Sequence, residues 1–260
     1  MKKYFVLLIS LHFSYCSLAQ FYNADLIIKN INIVDVANNT ILREQTVVVS
    51  KDKIVATGYS KKLKWRYKAK STIDGTGKFI MPSLWDMHVH FGGDTLIHEN
   101  KLLLPLYTAM GVSHVRDCAG DISDSVIAWK KAINQNNLQG PTIFTSGPKL
   151  EGPKSIWPGD LEINTQEELK IALDSLKKLD VDFVKITDNT LDPNLFLTSI
   201  QEARKRGWKV SGHIPATMTV ATYANAGLSA IEHIGYLQRA ASDKEDSITQ
   251  LRAKGKITNK

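Results

Sequence analysis

The pattern of apolar and polar positions changes character near residue 81. Before it, apolar residues come in short runs at 25–30, 33–36, 45–50 and 54–58, separated by turn clusters such as Ala37-Asn38-Asn39-Thr40 and Lys51-Asp52-Lys53. Runs rich in Ile and Val with that punctuation predict short strands and turns, with no helical period. Residues 71–80 lead into a further run from Met81. From there the pattern predicts buried strands near 81–90, 112–118, 142–146, 183–187, 209–214 and 230–234. Amphipathic helical spacing fills 99–110, 122–136, 165–179, 193–206 and 217–226. Asn164-Thr165 before two glutamates and Asp192-Pro193 are helix starts, and Gly207 is a stop. Strands separated by single helices pair in parallel through right-handed crossovers. The predicted class is α/β, and six successive units suit a (β/α)8 barrel or a doubly wound sheet.

The N-terminus stands apart. Lys2-Lys3 precede an apolar run from Tyr4 to Leu11, and small residues around Ser17-Leu18-Ala19 offer a cleavage site before Gln20. That is the anatomy of a secretory signal peptide, and the run is too short to span a bilayer. The chain therefore divides into a signal peptide at 1–19, a β-rich portion at 20–80 and the strand–helix array at 81–260. The expected location is periplasmic or extracellular, without stable membrane insertion once the signal is removed. Cleavage takes away two lysines and no acids, so the formal charge of +7 becomes +5. The remaining lysines are scattered among acids, which argues against a nucleic-acid partner. Only Cys118 then remains, so no internal disulfide is expected, and a small buried residue is the natural reading.

The chemistry gathers at strand ends. His88 and His90 flank one residue in a strand, so both side chains project to the same side. His213 and His233 fall at two other predicted strand ends, so four of the seven histidines sit where a barrel opens its active-site face. Neutral imidazoles so placed point to a metal site. Lys185 lies inside the apolar run Phe183-Val184-Lys185-Ile186. Desolvation of a buried amine is expensive and lowers its pKa, which leaves a neutral group able to add carbon dioxide.

At these residues the sequence resembles the amidohydrolase superfamily, in its imidazolonepropionase-like and Xaa-Pro dipeptidase-like branch. The resemblance covers nearly all of residues 24–235. It rests on Ile73-Asp74-Gly75-Thr76-Gly77-Lys78, Met81-Pro82 and Asp86-Met87-His88-Val89-His90, then on Val115-Arg116-Asp117, Ser146-Gly147-Pro148 and Trp157-Pro158-Gly159, and finally on Phe183-Val184-Lys185-Ile186, Gly212-His213-Ile214-Pro215 and Ile231-Glu232-His233. It implies a distorted barrel beside a small N-terminal β-sandwich portion. It also implies two divalent metal ions, with zinc the expected metal. His88 and His90 would ligate one ion and His213 and His233 the other. Lys185, carrying a carbamate derived from CO2, would bridge them. The implied nucleophile is a metal-activated hydroxide, and the scissile bond an amide C–N bond in a small molecule or dipeptide.

Two departures accompany the match. Ser83 stands where the family usually has Gly. The eighth barrel strand, which in the family delivers an aspartate as ligand and proton shuttle, has no counterpart before Lys260, and Asp243 and Asp246 lie in a polar helical stretch. The barrel is therefore expected to be incomplete, with strands one to six, and no general base is assigned. Such an array is expected to expose apolar strand edges. Substrate contacts are expected from Trp157, in the long Pro- and Gly-rich loop 147–160, and from Tyr236, a possible hydrogen-bond donor beside His233. Lactone or phosphoester hydrolysis on the same metals is the alternative activity, and a barrel fragment that binds metal or ligand without turnover is the non-enzymatic one. Self-association as a homo-oligomer is left open.

Overall fold

The computed structural model describes residues 21–63 and 66–256, so the expected signal peptide lies outside the described residues. Two compact units divide between Pro82 and Ser83.

The first unit is a single mixed sheet. It comprises β1 (Tyr22–Asp35), β2 (Thr40–Ser50), β3 (Lys53–Tyr59), the one-turn helix α1 (Ser60–Leu63), β4 (Tyr67–Asp74) and β5 (Phe79–Ile80). The order is β3-β2-β1-β4, with β5 also pairing β1. β1 runs antiparallel to β2 and parallel to β4 and β5. The two short strands expected at 25–30 and 33–36 are one strand. Its register against β2 slips between Ile28 and Ile31, at Asn30 with a φ of 55°. A bulge lets the strand continue past a polar residue that reads as a break. Ala24, Ile27 and Val48 form the buried cluster of this unit.

The second unit alternates strand and helix. In order it contains β6 (Leu84–Val89), α2 (Ile97–Ala109), β7 (Val112–Asp117), α3 (Ser123–Asn134), β8 (Thr142–Thr145), β9 (Leu150–Glu151), β10 (Leu161–Glu162), α4 (Gln166–Leu179), β11 (Phe183–Ile186), α5 (Pro193–Lys205), β12 (Lys209–Gly212), α6 (Val220–Ala226), β13 (Ala230–Ile231), α7 (Ile234–Ala240) and α8 (Glu245–Ala253). β6-β7-β8 form one sheet and β10-β9-β11-β12-β13 another. Every pairing within these two sheets is parallel. Among the described residues no helix is long and apolar enough to cross a membrane.

Local chemistry explains the elements. Thr165 and Glu168 form a reciprocal capping box that opens α4, and Asp180 closes it in the left-handed conformation. Leu169, Ala172, Leu173 and Leu176 recur at helical spacing and are buried. Asp192 caps Asn194 and Leu195 with Pro193 at the first helical position. These stripes meet Leu150, Val184, Ile186 and Val210 from the strands in one core. A second core joins Val89, Val115 and Ile143 to Leu104 and Trp129. Each fully buried Leu or Ile contributes about 1.5–3 kcal/mol.

Strands β9 and β10 interrupt what reads as a continuous loop, and their location matters. The Glu151 side chain is fully buried and accepts hydrogen bonds from the backbone N–H groups of Gly152, Asn189, Thr190 and Leu191 and from Asn189 Nδ2, at 2.8–3.2 Å. These donors outweigh burial and hold the carboxyl below its ordinary pKa. Gly152 meets the same loop so closely that a Cβ would lie 2.3 Å from the Thr190 carbonyl carbon. One carboxylate thus fixes the segment that follows β11. Glu151→Gln, which turns an amide toward these donors, should lower unfolding free energy by about 3 kcal/mol, as lost charge-assisted hydrogen bonds require. Chemical denaturation would measure it.

Candidate active site

The imidazoles converge at the C-terminal ends of the parallel strands. His88 sits within β6 and His90 just beyond it, and their Nε2 atoms are 2.9 Å apart. His213 follows β12 and His233 follows β13, with Nε2 atoms 3.1 Å apart. The rings of His88 and His233 lie 4.9 Å apart, so the two pairs form one cluster.

Partners on the far ring nitrogens fix what the near ones present. His90 Nδ1 lies 2.5 Å from the Ala119 carbonyl oxygen, and His88 Nδ1 lies 2.6 Å from Glu232 Oε2. A carbonyl and a carboxylate accept, so both imidazoles donate from Nδ1 and carry lone pairs on Nε2. Two lone pairs then face each other across 2.9 Å. Burial lowers the His88 pKa, and in the second pair it depresses that of His213 to about 3. The arrangement calls for an electrophile between the rings.

Backbone strain accompanies this geometry. His233 holds φ 71° and ψ 134°, and Ala119, whose carbonyl orients His90, holds φ 84°. Such conformations cost about 1–3 kcal/mol each and cluster at functional sites.

Lys185 projects from β11 with 1% exposure, and its Nζ has no hydrogen-bond partner among the described residues. Burial pulls its pKa down to about 8. It shares a cavity of about 440 Å³ with His90, His213, Asp121, Lys149 and Trp157. Gly120 lines this cavity too, where a Cβ would strike the Phe91 carbonyl at 2.0 Å. Trp157 is 57% exposed, with Lys149 Nζ 5.8 Å from its ring centroid. Lys149 is itself tied to Asp160 at 2.6 Å, which fastens the Trp157 loop to β9. Tyr236 does not line this cavity. Its ring stacks on His213 at 6.3 Å and borders a second cavity, and burial pushes its hydroxyl pKa up to about 12.

The sequence reading named no role for Glu232 and Arg116, although both stand within the quoted motifs. The Glu232 carboxylate accepts from His88 Nδ1, from Arg116 Nη2 and from the Ser211 hydroxyl. Burial disfavours its charge, but Ser211, Lys185 and Arg116 together hold its pKa down at about 2. A carboxylate one residue before a strand-end histidine was the available signal. His88, Cys118 and Glu232 also bring potential ligand atoms within 4.8 Å of one another. Burial pushes the Cys118 thiol up to about 11, so it stays protonated at neutral pH and serves as the packed residue expected.

No protein-family model matches the chain. Curated relatives do. The chain is 43% identical over 216 residues to an adenine deaminase from Desulforamulus reducens, covering 79% of this chain and 34% of that protein. It is 22% identical over 247 residues to an ochratoxinase from Aspergillus niger, covering 75% of this chain and 51% of that one. The chain thus spans between a third and a half of the length of these relatives. Among solved structures, a candidate prolidase from Bifidobacterium longum superposes with a TM-score of 0.69 at 25% identity, over 80% of this chain and 54% of the other. The A. niger ochratoxinase structure superposes at 0.66 and 19% identity, over 89% and 64%.

Because the Glu232 pKa falls to about 2, the unfolded chain binds more protons than the folded one between about pH 4.5 and 2. The stability this carboxylate contributes is complete above that window and lost as pH falls through it. Glu232→Gln should therefore lower stability at pH 7 and flatten the acid limb of the stability curve, measured by denaturation at stepped pH.

Proposed function

The chain belongs to the amidohydrolase superfamily, in its Xaa-Pro dipeptidase-like branch, and from that premise we propose that it hydrolyses amide C–N bonds in small molecules, dipeptides among them. The observation that carries this reading is the pair of Nε2 lone pairs held face to face by Ala119 and Glu232, with a second histidine pair and an unpartnered buried lysine beside it. The donor set fits two divalent ions, and zinc suits imidazole ligands. His88 and His90 would hold one, His213 and His233 the other, and Lys185 as a carbamate would bridge them. Bound there, the ions supply Lewis acidity to the scissile carbonyl and acidify water.

The protein groups prepare that chemistry. With its pKa near 8, Lys185 has an accessible neutral amine; its lone pair forms a bond to the carbon of CO2 and one proton leaves. Glu232 orients His88, and Arg116 and Ser211 orient Glu232. Trp157 offers an exposed aromatic face to the apolar part of a substrate, and Tyr236 a hydroxyl beside His213. The proposal extends to the fold. β6, β7, β8, β11, β12 and β13 would be six strands of a (β/α)8 barrel, and the first unit part of a composite β-sandwich. It extends also to export by a cleaved signal peptide over residues 1–19.

Metal analysis tests the core of the reading. Protein prepared with zinc and bicarbonate should hold about two ions per chain, as the ligand count implies, and Lys185→Ala at most one. Turnover of a dipeptide panel should fall by orders of magnitude in that variant. An unchanged metal content in Lys185→Ala would overturn the bridging role.

A further inference from the structure

Two buried polar atoms without partners among the described residues line one cavity. The first is the Lys185 Nζ, and the second is the Thr187 hydroxyl, two residues further along the chain. Thr187 is 2% exposed. Its N–H donates to the Leu150 carbonyl at 3.0 Å, so the pairing of β11 with β9 continues past Ile186. Residues two apart in extended backbone project to the same side, which puts the hydroxyl and the amine on one wall of the cavity. Thr187 is also β-branched, so its hydroxyl stays where the backbone sets it.

Neighbouring groups leave that hydroxyl unclaimed. Glu151 lies near enough for Thr187 to help lower its pKa, yet its oxygens already accept from Gly152, Asn189, Thr190 and Leu191. Other donors close to Lys185 are engaged. Ser211, opposite Lys185 in the β11–β12 register, donates to Glu232. Lys149 is held by Asp160 at 2.6 Å, and the His90 Nδ1–H by the Ala119 carbonyl.

Uptake of CO2 changes what the cavity must satisfy. The Lys185 Nζ lone pair forms a bond to carbon, one N–H proton leaves to solvent, and the amine becomes an anion with two oxygens. A buried anion needs hydrogen-bond donors. We propose that Thr187 is the positioning residue of the Lys185 carbamate, its hydroxyl donating to one carbamate oxygen. That bond orients the group in the cavity and holds negative charge on oxygen. Loss of CO2 requires the proton to return to nitrogen and the C–N bond to break, and charge held on oxygen opposes both. The assignment rests on the reading of Lys185 as a carbamate and says what keeps that group in place.

The test reads the carbamate itself rather than turnover. NMR of the zinc-loaded protein in carbon-labelled bicarbonate follows the signal as dissolved CO2 is raised. Lys185→Ala should lack the signal, which places it on that residue. Thr187→Val, which keeps the shape and removes the donor, should need about tenfold more CO2 for half-occupancy, as one hydrogen bond to a charged acceptor implies. Thr187→Ser keeps the donor and should stay close to the unaltered protein. At saturating CO2 the zinc content of Thr187→Val should match that of the unaltered protein, because no ligand atom has been removed. Equal half-occupancy in Thr187→Val and the unaltered protein would overturn the assignment. If denaturation then shows lost stability alone, the hydroxyl serves the Glu151 clamp. Should Thr187→Val fail to fold, Thr187→Ala takes its place in the same titration. An unaltered protein without a carbamate signal at any CO2 level sinks the assignment together with the bridging lysine. A labelled Lys185 indifferent to Thr187 removes the threonine and leaves the lysine standing.

Discussion

The Glu232 carboxylate is the constraint on which the site depends. Its position directly after β13 lets it reach His88 on β6, Arg116 on β7 and Ser211 on β12. β6 and β7 belong to one parallel sheet and β12 and β13 to the other, so this carboxylate ties the two sheets together. A buried charge shared among four strands is costly unless every lone pair is used, and here a cation, an imidazole and a hydroxyl use them. The same carboxylate that ties the strands together selects the His88 tautomer, so packing and chemistry rest on one residue.

Much of this was readable in advance because it follows from periodicity. Strand and helix positions beyond residue 81 follow from apolar spacing, and the site histidines fall where those strands end. A lysine in an apolar strand would by itself be read as reaching solvent at the strand end; the histidines at neighbouring strand ends are what point to burial, and Lys185 is buried. What resisted reading depends on contacts distant in sequence. β9 and β10 are two residues each, too short for any periodicity, and exist because β11 and Glu151 give them partners. Arg116 looks like an ordinary polar strand residue until Glu232, 116 positions away, supplies its counter-charge. The left-handed backbone of His233 leaves no trace in composition, since side-chain type alone would place it in an extended strand.

The site also illustrates stability given up for chemistry. An unpartnered buried amine, facing imidazole lone pairs and two strained backbone positions all oppose folding. The opposing contribution comes from the apolar cores, in the larger of which Leu173, Leu176, Ile186, Phe196 and Ile200 are wholly buried. Capped helices and the Glu151 clamp keep the strand-end loops in register while the site itself remains locally unfavourable.

Cys118 takes on a different meaning in this setting. Its thiol is fully buried, protonated at neutral pH, and donates to the Arg116 carbonyl at 3.7 Å, beside the network that Glu232 organises. A reagent can reach that sulfur only when the strands around it part. The thiol is thus a built-in stopwatch, because its rate of alkylation counts how often the interior of the array opens to solvent.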